Sequence, residues 1–129
     1  MRLLLDTHIM LWWALGDTRL SVAARQAIDD DATVCAVSVA SLWEVVIKSA
    51  LGRGLPEGVT ASGYRAMIEE AALPLLSVTA DHAMAVAGLA DAHGDPFDRL
   101  MVAQAAAEGM TFLTSDAQLA AYGHHVRVM

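Results

Sequence analysis

Residues 1–8 read MRLLLDTH, and the acid Asp6 follows directly on three consecutive leucines, Leu3, Leu4 and Leu5. A short unbroken apolar run suits a strand covered on both faces, as in a parallel sheet flanked by helices. A carboxylate inside such a strand would be costly to bury unless it were paired or bound to a metal. At the carboxyl end of the strand it reaches the rim instead, where open α/β sheets hold their ligands. The question set by this stretch is which other acids converge on the same rim.

Working outward, residues 8–15 (HIMLWWAL) predict a helix stopped by Gly16. Its adjacent Trp12 and Trp13 point about 100° apart, one toward the core and the other toward the surface or a partner. Ser21 caps a helix from Val22 to about Asp29, and residues 33–37 (TVCAV) form a second strand. Ser38 or Ser41 caps the next helix, which runs through Lys48 to Leu51 before Gly52 and Gly54. A weaker helix over 61–72, a short strand Leu75 to Val78 and a Thr79-capped helix Ala80 to Ala90 follow, with a break at His93-Gly94. Asp95-Pro96 restarts the chain with an acid at the cap and proline in the first helical position, and that helix ends at Glu108 before Gly109. Residues 111–114 (TFLT) make a fourth strand, Ser115 opens a short helix to Ala121, and Val126 to Val128 is a last strand. Strands alternating with helices imply crossovers and a parallel sheet. The expected fold is a three-layer α/β/α sandwich with a central, mainly parallel sheet of about five strands, in one domain spanning residues 1–129.

Bulk composition narrows the function classes. The apolar fraction is 56%, above the usual range of about 45–50%, which excludes a disordered chain and suits a buried sheet or an oligomer interface. No uncharged stretch reaches the roughly 18 residues of a membrane span, and Asp6 interrupts the place of a signal peptide's apolar core, so no membrane or export role is expected. Cys35 is the only cysteine, which excludes an internal disulfide and fits a reducing, cytoplasmic setting. The net charge of −7, with a single lysine and seven arginines, argues against coating nucleic acid through a basic surface. Cations bound by a cluster of acids would offset part of that charge, and an acidic domain invites a basic partner.

Each candidate acid also has an ordinary explanation. Asp6 could cap the helix that follows it. Glu44, in LWEVVIK, has Lys48 four residues on, the favourable order for a helical ion pair, yet apolar neighbours on both sides leave it little solvated face. Asp98 lies three residues after the cap Asp95, and Asp116 sits near a helix start, where Ser115 and Gln118 already have a capping-box spacing. Taken together they are less ordinary. Asp6 and Asp116 each follow a strand, Glu44 lies a turn or two into the helix leaving another, and Asp98 joins them if its helix begins at that edge. A carboxylate cluster without cysteine or well-spaced histidine ligands selects Mg²⁺ or Mn²⁺ through oxygen. Such a metal activates water and clamps the oxygens of a phosphodiester. No glycine-rich phosphate loop or nucleophilic triad is apparent. His8, two residues past Asp6, is in reach of substrate contact or proton transfer, though a structural histidine is the simpler reading; His124 and His125 read as solvent-facing, and His82 and His93 carry no spacing signal.

The segments LLLDTH (3–8), SLWEVVIK (41–48), DPFDRLMVAQA (95–105) and LTSDAQLAAYG (113–123), in this order, resemble the PIN-domain ribonucleases of the VapC type, the toxins of bacterial toxin–antitoxin pairs. The resemblance implies an α/β sandwich and a metal-dependent endoribonuclease that cleaves RNA with a metal-activated water. It matches Asp6, Glu44, Asp98 and Asp116 to the family's acidic positions, as catalytic and metal-holding residues for Mg²⁺ or Mn²⁺. Thr7 and Ser115 match its neighbouring hydroxyl positions. It also implies an RNA substrate, a homodimer and a cognate antitoxin whose tail blocks the acidic groove. The alternative is a non-catalytic PIN-like protein–protein binding module. A phosphoacceptor domain would want a lysine near the last strand, and an aspartyl-phosphate phosphatase a second acid at the position of His8.

Overall fold

The computed structural model describes residues 1–90 and 94–129. Five strands, β1 (Arg2–Leu5), β2 (Val34–Ser38), β3 (Leu75–Leu76), β4 (Thr111–Thr114) and β5 (Val126–Val128), form one sheet in the order β3-β2-β1-β4-β5. Every pairing is parallel. Among the described residues, six α-helices, α1 (Thr7–Leu15), α2 (Val22–Asp29), α3 (Val39–Leu51), α4 (Ala61–Glu70), α5 (Ala80–Ala85) and α6 (Pro96–Glu108), and two 3₁₀ helices (Val86–Gly88 and Ala117–Tyr122) lie between the strands.

The leucine run explains how the layers are joined. Side chains alternate across a strand, so Leu3 and Leu5 enter one core with Cys35, Val37 and Leu113, against α1, α2 and α4. Leu4 points the other way, joining Ala36 and Phe112 against Met101, Val102 and Ala105 of α6. All three leucines are fully buried. The sheet thus carries a core on each face, which accounts for the high apolar fraction and for the sandwich expected from the sequence.

The chain builds β1, β2 and β3 outward in one direction, then returns to place β4 on the other side of β1. The strand order therefore reverses between β1 and β4, the switch point where open α/β sheets leave a crevice at the carboxyl ends of their strands. Asp6 and Asp116 follow those two strands.

Several local expectations are revised. The helix expected to reach Ala90 ends at Ala85 and tightens into the 3₁₀ turn Val86–Gly88; His93 lies outside the described residues. The strand expected over 75–78 pairs with β2 only at Leu75 and Leu76. Ser38, not Ser41, caps α3 by accepting from the Ala40 N–H. Trp12 and Trp13 do not divide between core and surface: both are half-buried against the α1 side of the core, and Trp13 Nε1 donates to Asp29 Oδ1 at 2.8 Å.

Candidate active site

The four acids singled out in the sequence line one pocket of about 240 Å³, together with His8, Lys48, Asp95 and Ser115. They arrive from four segments. Asp6 is the residue between β1 and α1; its Oδ1 accepts from the Thr7 N–H at 2.7 Å, so the ordinary capping explanation is also true of it. Its Oδ2 accepts from Thr114 Oγ1 at 2.7 Å, a bond from the end of β4 across the switch point. Asp98 comes in on the first turn of α6, which does begin at this edge, behind the cap that Asp95 makes to the Phe97 and Asp98 N–H groups. Asp116 follows β4 and caps the 3₁₀ helix by accepting from the Gln118 N–H at 3.0 Å. The sequence assigned that capping role to Ser115. Ser115 is instead exposed on the pocket wall, and the hydroxyl that supports an acid here is Thr114, one residue earlier.

Glu44 is held on both oxygens. Oε1 accepts from Thr7 Oγ1 and Oε2 from Lys48 Nζ, each at 2.6 Å. Behind Thr7 stand Ser41 Oγ at 2.6 Å and, from Ser41, Tyr64 Oη at 2.7 Å. A hydroxyl has one proton to give. Since Thr7 donates to Glu44, Ser41 must donate to Thr7 and Tyr64 to Ser41, a one-way chain of hydroxyls ending on the carboxylate. Burial pushes the Tyr64 hydroxyl to higher pKa, which keeps it a donor. Thr7, which the resemblance matched to a hydroxyl position, thus donates to the Glu44 carboxylate. Ser41 and Tyr64 were missed, because nothing in their spacing relates them to Glu44 before the chain folds.

The electrostatics follow from crowding. Burial, and then the charges of Asp6, Asp95, Glu44 and Asp116, push the Asp98 carboxyl up to about 8. Burial pushes Asp6 up to about 6, with Glu44 and Asp95 adding to it and the Thr114 and Thr7 hydrogen bonds opposing. Burial and the neighbouring ammonium of Lys48 hold His8 below its ordinary value. Like charges sharing one pocket resist ionisation, and a cation among them removes that resistance.

The donor set is all oxygen, which suits Mg²⁺ or Mn²⁺. Each Asp6 oxygen accepts one hydrogen bond and keeps a second lone pair. Among the described residues, however, no three His, Cys, Asp or Glu side chains stand ready to hold one ion. Mg²⁺ keeps several of its waters and takes one or two carboxylates directly, so a pocket that offers few carboxylates at once is compatible with it.

Comparison with known proteins agrees with the geometry. A model of the PIN domain family matches residues 3–124. The chain is 31% identical over 123 residues to Ribonuclease VapC22 of Mycobacterium tuberculosis (strain ATCC 25618 / H37Rv), covering 94% of this chain and 92% of that one. Two solved structures share the fold. One is VapBC2 from Rickettsia felis bound to a DNA fragment from its promoter (TM-score 0.71, 14% identity, 100% of this chain and 98% of that chain). The other is a toxin–antitoxin complex from Klebsiella pneumoniae (TM-score 0.66, 17% identity, 97% and 95%). A family match over nearly the whole length, a relative above 30% identity and a shared sheet topology place this chain in the PIN domain family.

Proposed function

We infer that this protein is a metal-dependent endoribonuclease and the toxin of a toxin–antitoxin pair. The observation that carries the reading is that Asp6, Glu44, Asp98 and Asp116, from four separate segments, line one pocket at the sheet's switch point. Its closest support outside the fold is the similarity to a ribonuclease of the VapC type.

Asp6 and Asp98 are the residues to hold Mg²⁺ or Mn²⁺, with Asp116 and Glu44 acting directly or through water. When bound, such an ion supplies a water acidified enough to attack phosphorus near neutral pH and a positive charge for the phosphate oxygens. The chain's own residues do the rest. Thr114 and the Thr7 N–H fix the Asp6 carboxylate so that it cannot swing away. The Tyr64–Ser41–Thr7 chain fixes Glu44 in the same way. Fixed carboxylates need no reorganisation when substrate arrives, which is where much of an electrostatic site's advantage lies.

A basic antitoxin segment suits the net charge of −7 and the acidic pocket. A homodimer suits α3, whose Val39, Trp43, Val46, Ile47 and Leu51 are exposed at helical spacing. Among the described residues no helix is long and apolar enough to cross a membrane, and the single buried Cys35 fits a reducing cytoplasm. The four segments fold as one domain over residues 1–129 in this reading. The deciding experiment is cleavage of single-stranded RNA by the purified chain with Mg²⁺, with Mn²⁺ and with chelator. Cleavage that persists in excess chelator, or that survives Asp6→Asn undiminished, overturns the reading. A non-catalytic shell would neither cut RNA nor bind Mn²⁺.

A further inference from the structure

Among the described residues the pocket is lined by five carboxylates, those of Asp6, Glu44, Asp95, Asp98 and Asp116, and by one lysine or arginine side chain, Lys48. It is also the only lysine in the chain. Its partner Glu44 lies one helical turn earlier on α3 and is 3% exposed, so the pair faces the pocket and not a solvated helix surface. The ammonium has three donors; among the described residues its hydrogen bond is to Glu44 alone, and its field also reaches Asp95 and Asp98 at the start of α6. The lysine stem is confined as well. A Cβ added at Gly54, where φ is +84°, would lie 3.1 Å from Lys48 Cδ, so the bare backbone at Gly54 leaves the room that the stem occupies. Glu44 from one side and Gly54 from the other set the position of the ammonium.

A phosphodiester entering this pocket meets carboxylates on most sides. We propose that Lys48 is a substrate-binding residue of the site, its ammonium contacting a phosphate oxygen of single-stranded RNA while Glu44 holds it in place. This rests on the ribonuclease reading and deepens it. Glu44 then also holds a cation that belongs to the chain, beside its part in the metal site. The ordinary alternative is that Lys48 only neutralises Glu44.

The single lysine gives a direct test on the natural protein. An amine-acylating reagent labels Lys48 and the amino terminus of the chain, which lies at the opposite end of β1 and serves as the internal control. With saturating single-stranded RNA and Ca²⁺ in place of Mg²⁺, under conditions where no cleavage occurs, labelling of Lys48 should fall severalfold while the terminus labels as before. Equal labelling of Lys48 with and without RNA overturns the proposal. A second measurement separates contact from support. Binding of the same RNA is followed against salt for the parent, Lys48→Gln and Lys48→Arg. One lost phosphate contact makes the slope of log K against log salt shallower by about 0.7 and weakens binding roughly tenfold. Lys48→Gln should show both changes and Lys48→Arg should restore most of each. An unchanged slope in Lys48→Gln leaves Lys48 as a partner of Glu44 only. If the parent neither binds nor cuts RNA, the ribonuclease reading fails first; if it does both and Lys48 is unprotected, this inference alone fails.

Discussion

Two buried polar groups flank the sheet, and they are balanced in different ways. On the α6 side, His82 is 2% exposed and every polar contact it makes is complementary. Its Nδ1 accepts from the Thr79 N–H at 3.1 Å, so Nε2 carries the proton and donates to Glu108 Oε1 at 2.7 Å. Thr79 Oγ1 returns the favour by accepting from the His82 N–H at 3.2 Å, closing a capping box on α5. Gln104, fully buried beside it, accepts from Ser38 Oγ at 2.5 Å, and Ser38 in turn caps α3. Each of these polar groups has a partner of the opposite kind, and Gln104 Nε2 lies 3.4 Å from both the Ser77 carbonyl oxygen and His82 Nδ1. At the switch point, by contrast, five carboxylates and one lysine among the described residues line a pocket, and burial and like charge push the Asp6 and Asp98 carboxyls up. A fold needs satisfied polar groups in its interior. Crowded like charge is costly to a fold, and acids with raised pKa in a pocket are where a functional site is sought.

The largest test of that contrast is activity. Asp6→Asn should reduce RNA cleavage roughly 100-fold or more while circular dichroism stays unchanged, because the amide keeps the shape and loses the charge. His82→Ala should do the reverse. It leaves the Thr79 N–H and Glu108 without their partner and a gap beside Gln104, a loss of roughly 2–4 kcal/mol in denaturant unfolding, with cleavage per folded molecule retained. If both variants lose activity to the same degree at equal folded fraction, the two regions are not distinct in the way described.

Charge repulsion gives a subtler test. The Asp98 carboxyl is raised to about 8 in the folded chain, so the folded state loses stability as pH rises from the ordinary carboxylate range to about 8 and regains it as pH falls. At pH 8.5 in chelator, Asp98→Asn should therefore melt about 2–5 °C above the parent, and Mn²⁺ should raise the parent's melting temperature more than the variant's. A variant that melts lower in chelator would mean that Asp98 is a structural cap and not a strained ligand. The smallest effect concerns neither region. Ala72, between α4 and β3, has φ of +53°, a left-handed conformation that costs a side chain. Ala72→Gly should gain about 0.5 kcal/mol in denaturant unfolding, since relief of that strain outweighs the added freedom of the unfolded chain.

Much of this molecule was legible before it folded. The leucine run, the proline and acid that open α6 and the glycines that end α1, α3 and α6 act locally, through backbone geometry and short-range hydrogen bonds. They mark the central strand and the helix ends, and the alternation of strands with helices implies the parallel sheet. The four acids could be named because each stands at the end of a strand or the first turns of a helix. Less legible were the ends of weak elements. The 3₁₀ turn after α5 and the two-residue β3 depend on what packs over them, which no window of sequence contains.

What only the tertiary structure decided was which polar side chains meet. Thr7 reaches Ser41 and Glu44 across 34 and 37 positions of chain, and Thr114 reaches Asp6 across 108. Lys48 read as an ordinary helical partner of Glu44 until the start of α6 came up beside it. Residue type and periodicity dictate the elements because those depend on neighbours in sequence. The hydrogen bonds and the surplus charge of the pocket depend on neighbours in space, and strand order alone made Asp6, Glu44, Asp98 and Asp116 neighbours.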